Sequence, residues 1–343
     1  MRFIVFYALA FILLITGCDR PDPVPAPEQE NGYIFFSSKL ETKAGLIEDA
    51  SEIGQFGVVG FKYDSSRSWD EYKAGATPNV FYDEAGELVD AETVDCDSDG
   101  DGTYSPLQGW SNTKKYTFFA YYPLDNDKTS LVNTDGTAYT GGVPAIKYTI
   151  DTDAFEDSMI DLMTAGYHKD LSGASSDNVT FSFDHRLSSL GVNLRNSSDC
   201  TIDVDYITLN VSGIRYDQIT LPLDGSAPPV TTGPAEGIDA QEFTMELTSS
   251  EKSLSKTGEL SDKMIFIPQS DKISVEVSIG YTRRLSGYPD NTFEVTLDAV
   301  ETDLQEGHKH LIQLNFTDST VEISSKVDAA GWVDIDDVHD TFN

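Results

Sequence analysis

The stretch Ile273-Ser274-Val275-Glu276-Val277-Ser278-Ile279 places four apolar residues at alternate positions, with small or charged residues between them. A side-chain period of two puts all four on one face of an extended strand and leaves the other face polar, as in a half-buried strand. The same alternation runs outward in both directions. It appears at Val179, Phe181 and Phe183; at Leu190, Val192 and Leu194; at Ile207, Leu209 and Val211; and at Phe243, Met245 and Leu247. Beyond the opening stretch it returns at Phe293, Val295 and Leu297 and at Ile312, Leu314 and Phe316. Clusters of Gly, Asp, Asn, Pro and Ser separate these runs, and no long segment of helical period competes with them. One buried face and one wet face predict an all-β chain of antiparallel sheets packed as sandwiches.

The alternation is cleaner after Val179 than before it. In the earlier part, aromatic strands such as Tyr116-Thr117-Phe118-Phe119-Ala120-Tyr121-Tyr122 are separated by long polar loops. That contrast predicts two β domains, 33–175 and 176–343, with the seam in the polar stretch Asp170 to Asn178. The Pro-, Gly- and Thr-rich stretch from Asp224 to Gly237 reads as a long excursion within the second domain. A hydrophobic fraction of 39% and an aromatic fraction of 11% over 343 residues suffice for two cores.

Before the first strand the chain carries Leu14-Ile15-Thr16-Gly17-Cys18, which reads as a lipobox. Arg2 supplies a positive start and Phe3 to Ile15 an apolar run too short to span a bilayer, so residues 1–17 read as a lipoprotein signal peptide. An ordinary signal peptide that happens to include a cysteine is the alternative. Cleavage before Cys18 and acylation of its thiol, with palmitate among the acyl chains, would tether the mature protein outside the cytoplasm. The expected location is the outer membrane, facing out. Residues 18–32, with prolines at 21, 23, 25 and 27, form an extended spacer, at roughly 3 Å per residue. The formal charge is -35, and removal of residues 1–17 takes away Arg2 and no acid. A chain so acidic, with no basic stripe, is not a nucleic-acid binder. Cys96 and Cys200 are left either to pair in one disulfide or to stand as two thiols.

Few residue patterns point to chemistry. Asp97, Asp99, Asp101 and Thr103 alternate around Gly100 and Gly102 in the manner of a calcium loop, but the position expected to supply a bidentate Glu is Gln108. An Asp/Gly-rich hairpin tip is the favoured reading, with Ca²⁺ the only cofactor in view. His308 and His310 could share one face of a strand at metal-bridging distance, yet no third ligand is near, and they read better as polar residues opening the strand to Phe316. His168, His185 and His339 have no nucleophile or carboxylate pattern beside them, and no phosphate or dinucleotide loop or nucleophile elbow occurs. A carboxylate-pair hydrolase receives no support, and the chain is read as a non-enzyme. Ser158 and Ser319, in Asp157-Ser158-Met159 and Asp318-Ser319-Thr320, resemble O-glycosylation sites used by some anaerobes.

Several segments, taken in order, resemble the fimbrillin (Mfa-like) family, lipoprotein subunits of type V pili. After the lipobox and spacer come Ile34-Phe35-Phe36-Ser37-Ser38 and Thr42-Lys43-Ala44, then Gly57-Val58-Val59-Gly60-Phe61. Lys115-Tyr116-Thr117-Phe118-Phe119-Ala120-Tyr121-Tyr122-Pro123 and Asp161-Leu162-Met163-Thr164-Ala165 follow. Val179 to Leu190 and a late Trp332 complete the series. The resemblance implies two transthyretin-like β-sandwich domains and assembly by donor-strand exchange. In that scheme a protease cuts after the first strand, here Tyr33 to Ser38 with Ile34 and Phe36 facing one side, and a strand of another subunit fills the vacated groove. The basic residues available for the cut are Lys39, Lys43 and, further on, Arg67. The donor would be Val321 to Val327 with residues around Trp332 to Val338.

The expected function is therefore a structural pilin or a pilus accessory subunit, at the tip or the anchor, in a fimbrium that contributes to cell adhesion. Its partners would be other pilin subunits, the outer membrane through lipid, and a host or bacterial receptor or glycan. The alternative is a surface glycan-binding lipoprotein of a polysaccharide-uptake system, with exposed Trp69, Trp110 and Trp332 as its sugar platform.

Overall fold

The computed structural model describes residues 30–40, 52–124, 128–151, 160–172, 178–245, 253–254 and 258–327. Cys18, Lys43, Ser158 and Trp332 lie outside them. The all-β expectation holds: the described residues form twenty-three strands and one four-residue helix.

The first half is built on one large sheet. Its strands are β2 (Phe36–Leu40), β3 (Gln55–Asp64), β4 (Glu92–Cys96), β5 (Asp101–Thr103), β7 (Lys114–Tyr122), β10 (Met163–Ala165), β11 (His168–Ser172) and β12 (Val179–His185). In space the order is β10-β12-β2-β5-β4-β3-β7, and β10 also pairs with β7, so the sheet closes into a ring of seven strands. Strand β11 continues along β7 beyond β10. Closure leaves the inside of the ring as a separate core, filled by Phe36, Phe56, Val58, Trp110, Phe118, Phe181 and their neighbours. Strands β3 and β7 are buried on both faces. Their outward residues Val59, Phe61, Phe119 and Tyr121 are covered by Trp69 of helix α1 (Trp69–Tyr72) and by Ile146 and Tyr148. Two-sided burial is why Gly57 to Phe61 and Tyr116 to Tyr122 show no alternation. A short pair, β1 (Glu30–Tyr33) with β6 (Gly109–Ser111), leads the chain into the ring.

The second half stacks two sheets. One has the order β19-β13-β22-β23, with β13 (Ser188–Asn196), β19 (Gly258–Phe266), β22 (Lys309–Phe316) and β23 (Val321–Val327). The other has the order β17-β14-β20-β21, with β14 (Thr201–Ser212), β17 (Gln241–Met245), β20 (Gln269–Arg284) and β21 (Asn291–Leu304), and β18 (Ser253–Leu254) pairs with β14. The alternating apolar residues of β13 and β22 meet those of β14 and β20 in one core, all buried.

Three expectations change. The seam does not fall at 175/176, because β12 is a strand of the first ring, hydrogen-bonded to β2 and β10, and the chain leaves the ring after His185. The halves also share a sheet: β8 (Thr129–Asn133) and β9 (Pro144–Thr149) of the first join β15 (Gln218–Pro222) and β16 (Val230–Thr232) of the second. The excursion from Asp224 to Gly237 accordingly contains a strand, β16. Finally, not every pair is antiparallel. β2 runs parallel to β12 and β13 parallel to β22, and each pair joins strands more than a hundred residues apart in sequence, with ample chain for a crossover.

Candidate functional site

The first strand is the feature that the family resemblance singles out, and the ring makes a seat for it. Ile34, Phe36 and Ser38 point into the ring and are buried, while Phe35 and Lys39 face out. The ring of Phe36 is held between Phe118, Tyr104, Phe181 and Phe81, at centroid distances of 5.2, 5.5, 5.8 and 6.0 Å. On one side β2 pairs with β12 over five residues, from Phe36 opposite Val179 to Leu40 opposite Phe183. The Val179 N–H donates to the Phe35 carbonyl at 2.9 Å, and the Ser37 and Thr180 hydroxyls lie 2.8 Å apart. On the other side the pairing is shorter, Phe36 with Gly102 and Ser37 with Asp101. The Ile34 N–H donates to the Gln108 carbonyl and the Ser38 N–H to the Gly100 carbonyl, both at 2.8 Å.

The walls of the seat explain several residues that carried other expectations. A Cβ on Gly102 would lie 2.5 Å from Val94 Cγ1 and 3.0 Å from the Phe36 carbonyl oxygen, and one on Gly100 would strike the Ser38 carbonyl. Both glycines are therefore there to let β2 approach. The Tyr104 hydroxyl donates to the Ile34 carbonyl at 3.0 Å and accepts from the Gln108 N–H at 3.2 Å. Cys96 Sγ lies 3.5 Å from Ser38 Oγ, and burial pushes its thiol up. Nothing in the sequence links Tyr104 or Cys96 to the first strand. The only signal is an aromatic residue inside an otherwise Asp/Gly-rich loop.

The segment proposed for calcium is the tight hairpin joining β4 to β5. Asp97 Oδ1 accepts the N–H groups of Asp99 and Asp101, at 2.9 and 3.0 Å, and the Gly100 N–H returns to the Asp97 carbonyl. Thr103 is in β5, its hydroxyl directed at the Asp95 carbonyl, and the Gln108 side chain donates to the Pro106 carbonyl. Among the described residues no three His, Cys, Asp or Glu side chains converge as a metal site. His308 sits in the turn before β22 and not on the strand, its Nδ1 on the Glu306 carbonyl. His310 is buried, accepts the Gln305 N–H on Nε2, and is pushed down to about 4 by that burial.

The basic residues fall in different places. Lys39 lies inside β2 opposite Ser182, because the strand runs two residues beyond Ser38. Arg67 is exposed, its guanidinium over the Tyr72 ring and on the Glu71 carbonyl. A cut at Arg67 would detach β3 as well, which is paired on both sides within the ring, so it does not release the first strand alone. Lys43 falls in the segment joining β2 to β3. Ser319 is exposed in the turn between β22 and β23. Cys96 and Cys200 are free thiols. Trp69 and Trp110 are 0% and 1% exposed, so the sugar platform expected of them does not form.

A polar junction missed by the sequence marks the step from ring to sandwich. His185 Nδ1 and Asp161 Oδ2 are 2.8 Å apart, with both side chains almost fully buried. Next to them Arg186 donates to Thr164 Oγ1 at 2.6 Å and pairs with Glu306 at 2.8 Å. Twenty-four residues separate Asp161 from His185, too far for a local pattern to reveal. The pair ties the entry of β10 to the exit of β12, out of reach of solvent.

The sequence profile of the Fimbrillin-like family matches residues 66–332. A crystal structure of a fimbrial protein from Bacteroides vulgatus is similar over 88% of this chain and 100% of its own, at 20% identity and a TM-score of 0.59. Structures named for cell adhesion, from Bacteroides uniformis and Bacteroides ovatus, cover 88% and 89% of the chain and 98% and 99% of their own. Their identities are 14% and 15% and their TM-scores 0.46 and 0.47. No curated protein matches the chain.

Proposed function

We propose, from the premise that the chain belongs to the fimbrillin-like family, that it is a non-enzymatic subunit of a cell-surface fimbrium, held at the outer membrane through an acylated Cys18 until it assembles. Assembly proceeds by donor-strand exchange, with the C-terminal strands as donor and other pilin subunits as partners, and the fimbrium serves adhesion. One observation carries this reading: residues 34–40 occupy a complete strand seat in an otherwise closed ring, and only the segment 41–54 ties them to the next strand. Removal of that strand would leave β12 and β5 with unpaired backbone groups and would open the aromatic pocket of Phe36, the two things that strand addition supplies. Lys43 is the only basic residue between β2 and β3 and is assigned as the cleavage point.

The test is the mass and N-terminal sequence of the protein recovered from the cell surface, with heated and unheated samples compared on a gel. A new N-terminus at Ala44 with a heat-labile ladder of oligomers, both lost in Lys43→Ala, is the expected result. Intact acylated Cys18 on a chain that is monomeric throughout would overturn strand exchange.

A further inference from the structure

A bulge and a glycine turn one tyrosine out of the sandwich. Residues two apart in a strand share a face, yet Val204 is buried in the core while Tyr206 is only half-buried and stands with Thr208 on the outer surface. The cause lies in the pairing of β14 with β20. Val204 is opposite Tyr281 and Tyr206 opposite Gly280, so Asp205 is an extra residue and the side chain after it is re-aimed. Gly280 lies in the interior of β20, outside the left-handed region, so glycine is required there for space alone. A Cβ on it would strike Tyr206 Cε1 and stand 2.8 Å from Cδ1 and 3.1 Å from Cζ. The tyrosine ring therefore rests across the bare backbone of Gly280, with its exposed part directed away from the sheet.

Hydrogen-bonding groups surround that ring. Along the same face Thr208, Ser278 and Thr282 meet the hydroxyls of Thr244, Thr296 and Thr292, at 3.3, 3.0 and 3.1 Å. Beside it opens a cleft of about 470 Å³, lined by Asp203, Asp205, Thr282 and Arg284, within the size range of ligand pockets. Arg284 pairs there with Asp203 at 2.5 Å and with Asp290 at 3.5 Å. We infer that this face binds carbohydrate: a neutral hexose unit of a glycan stacks its C–H face on Tyr206, and its hydroxyls bond to Asp203, Asp205 and Arg284 in the cleft. The slightly positive C–H bonds of a pyranose suit the negative face of an aromatic ring. A carboxylate beside a guanidinium offers acceptors and donors together, as vicinal hydroxyls require. Other ligand classes fit worse. β20 is hydrogen-bonded to β14 on one side and β21 on the other, so no sheet edge invites an extended peptide. Asp203, Asp205, Asp290 and Glu294 stand against the one guanidinium of Arg284, on a chain of formal charge -35, which disfavours sulfated or phosphorylated ligands. The site is independent of the strand seat. It lies where β13 finishes, at the end of the sandwich remote from the ring: Asn196 is opposite Phe316, whose ring is 5.1 Å from that of Tyr281.

The closing experiment runs the full chain, purified in detergent, through non-denaturing gels cast with mannan, galactan, xylan or dextran sulfate. The expected result is retardation by at least one of the three neutral polysaccharides and none by dextran sulfate. Tyr206→Ala is expected to weaken that binding by about tenfold or more, as truncation of a central aromatic contact does, and Tyr206→Phe, which keeps the ring, to leave it within about twofold. Gly280→Ala puts a methyl where the ring rests and is expected to act as Tyr206→Ala does. Melting curves accompany each variant. Should the variants at 206 and 280 fail to fold, Asp205→Ala, at an exposed position, decides the matter: it is expected to weaken binding at an unchanged melting temperature. Four results would overturn the inference: no retardation by any neutral polysaccharide, retardation by dextran sulfate alone, parental binding by a folded Tyr206→Ala chain or, where 206 cannot be tested, by Asp205→Ala, and loss of binding in Tyr288→Ala at the hairpin tip in place of Tyr206→Ala. None of them bears on strand exchange, which is read from the oligomer ladder.

Discussion

Phe36→Ala is the perturbation that asks most directly whether the first strand is an integral part of the ring. The side chain is 1% exposed and its ring is surrounded by four aromatic neighbours within 6.0 Å. Truncation of a buried Phe costs about 3–5 kcal/mol, and loss of several aromatic pairs in a pocket that cannot collapse around a backbone-tethered strand places this site near 4 kcal/mol. That is about a thousandfold in the ratio of folded to unfolded ring. The adjacent Phe35 is 41% exposed on the outer face, and Phe35→Ala is expected to cost about 0.5 kcal/mol. The assay is urea unfolding followed by tryptophan fluorescence, because Trp110 sits in the same core, 6.1 Å from Phe118. With a urea dependence near ~2 kcal/mol per molar, the Phe36→Ala midpoint drops by about 2 M and the Phe35→Ala midpoint hardly moves. Equal midpoints for the two variants would refute the argument that β2 is a core strand of the ring.

Three other outcomes follow from the same structure. Gly102→Ala sets a methyl against Val94 and the Phe36 carbonyl and is expected to cost about 1–3 kcal/mol, whereas Gly166→Ala, with open space around it, is expected to be nearly neutral in the same titration. Asp161→Ala removes the carboxylate 2.8 Å from the buried His185 ring and is expected to cost about 1–3 kcal/mol, with the Asp161→Ala/His185→Leu double variant recovering part of it; costs that simply add would show that the two side chains do not act as a pair. Burial pushes Glu92, at the start of β4, up to about 7, with a hydrogen bond from the Thr93 backbone opposing. The folded chain then keeps a proton that the unfolded chain has released, so stability falls as pH rises from about 4.5 to 7, and Glu92→Gln is expected to raise the melting temperature at pH 8 but not at pH 4; an unchanged difference across that range would contradict the assignment.

The second half was legible because its strands are wet on one side. The alternation read at Ile273 to Ile279 and at Ile207 to Val211 reappears residue by residue in the burial of β20 and β14. Alternation carries no strand direction, however, so the parallel pairs β2–β12 and β13–β22 could not be seen, and it names no partner, which is why β12 was assigned to the wrong half. Trp69 and Trp110 were misread because each stands among polar residues. Burial of an aromatic is decided by what folds over it, and here that is Phe61 and Phe119 for one and Tyr116 and Phe118 for the other. In the seat itself, Ile34 and Phe36 were legible as one inward face. Gly100 is a turn glycine of the Asp/Gly-rich hairpin, as its sequence implies, but its second role and that of Gly102, admitting β2, have no local pattern, since the approaching strand lies more than sixty residues away.

Closure of the ring bears on when assembly can happen. A sheet closed on itself presents no free edge, so with residues 34–40 in place the ring has no open strand position for another chain to fill. On the proposed exchange, the uncut subunit therefore stays monomeric, because its seat is already filled. On that reading, competition alone would not open the seat, because the resident strand is covalently attached, which raises its effective concentration. Cleavage between β2 and β3, as proposed, is a step that cannot be reversed at the surface, and it removes that advantage. The severed strand then diffuses away and no longer competes for its seat, so on this reading Lys43→Ala keeps the chain monomeric at the surface.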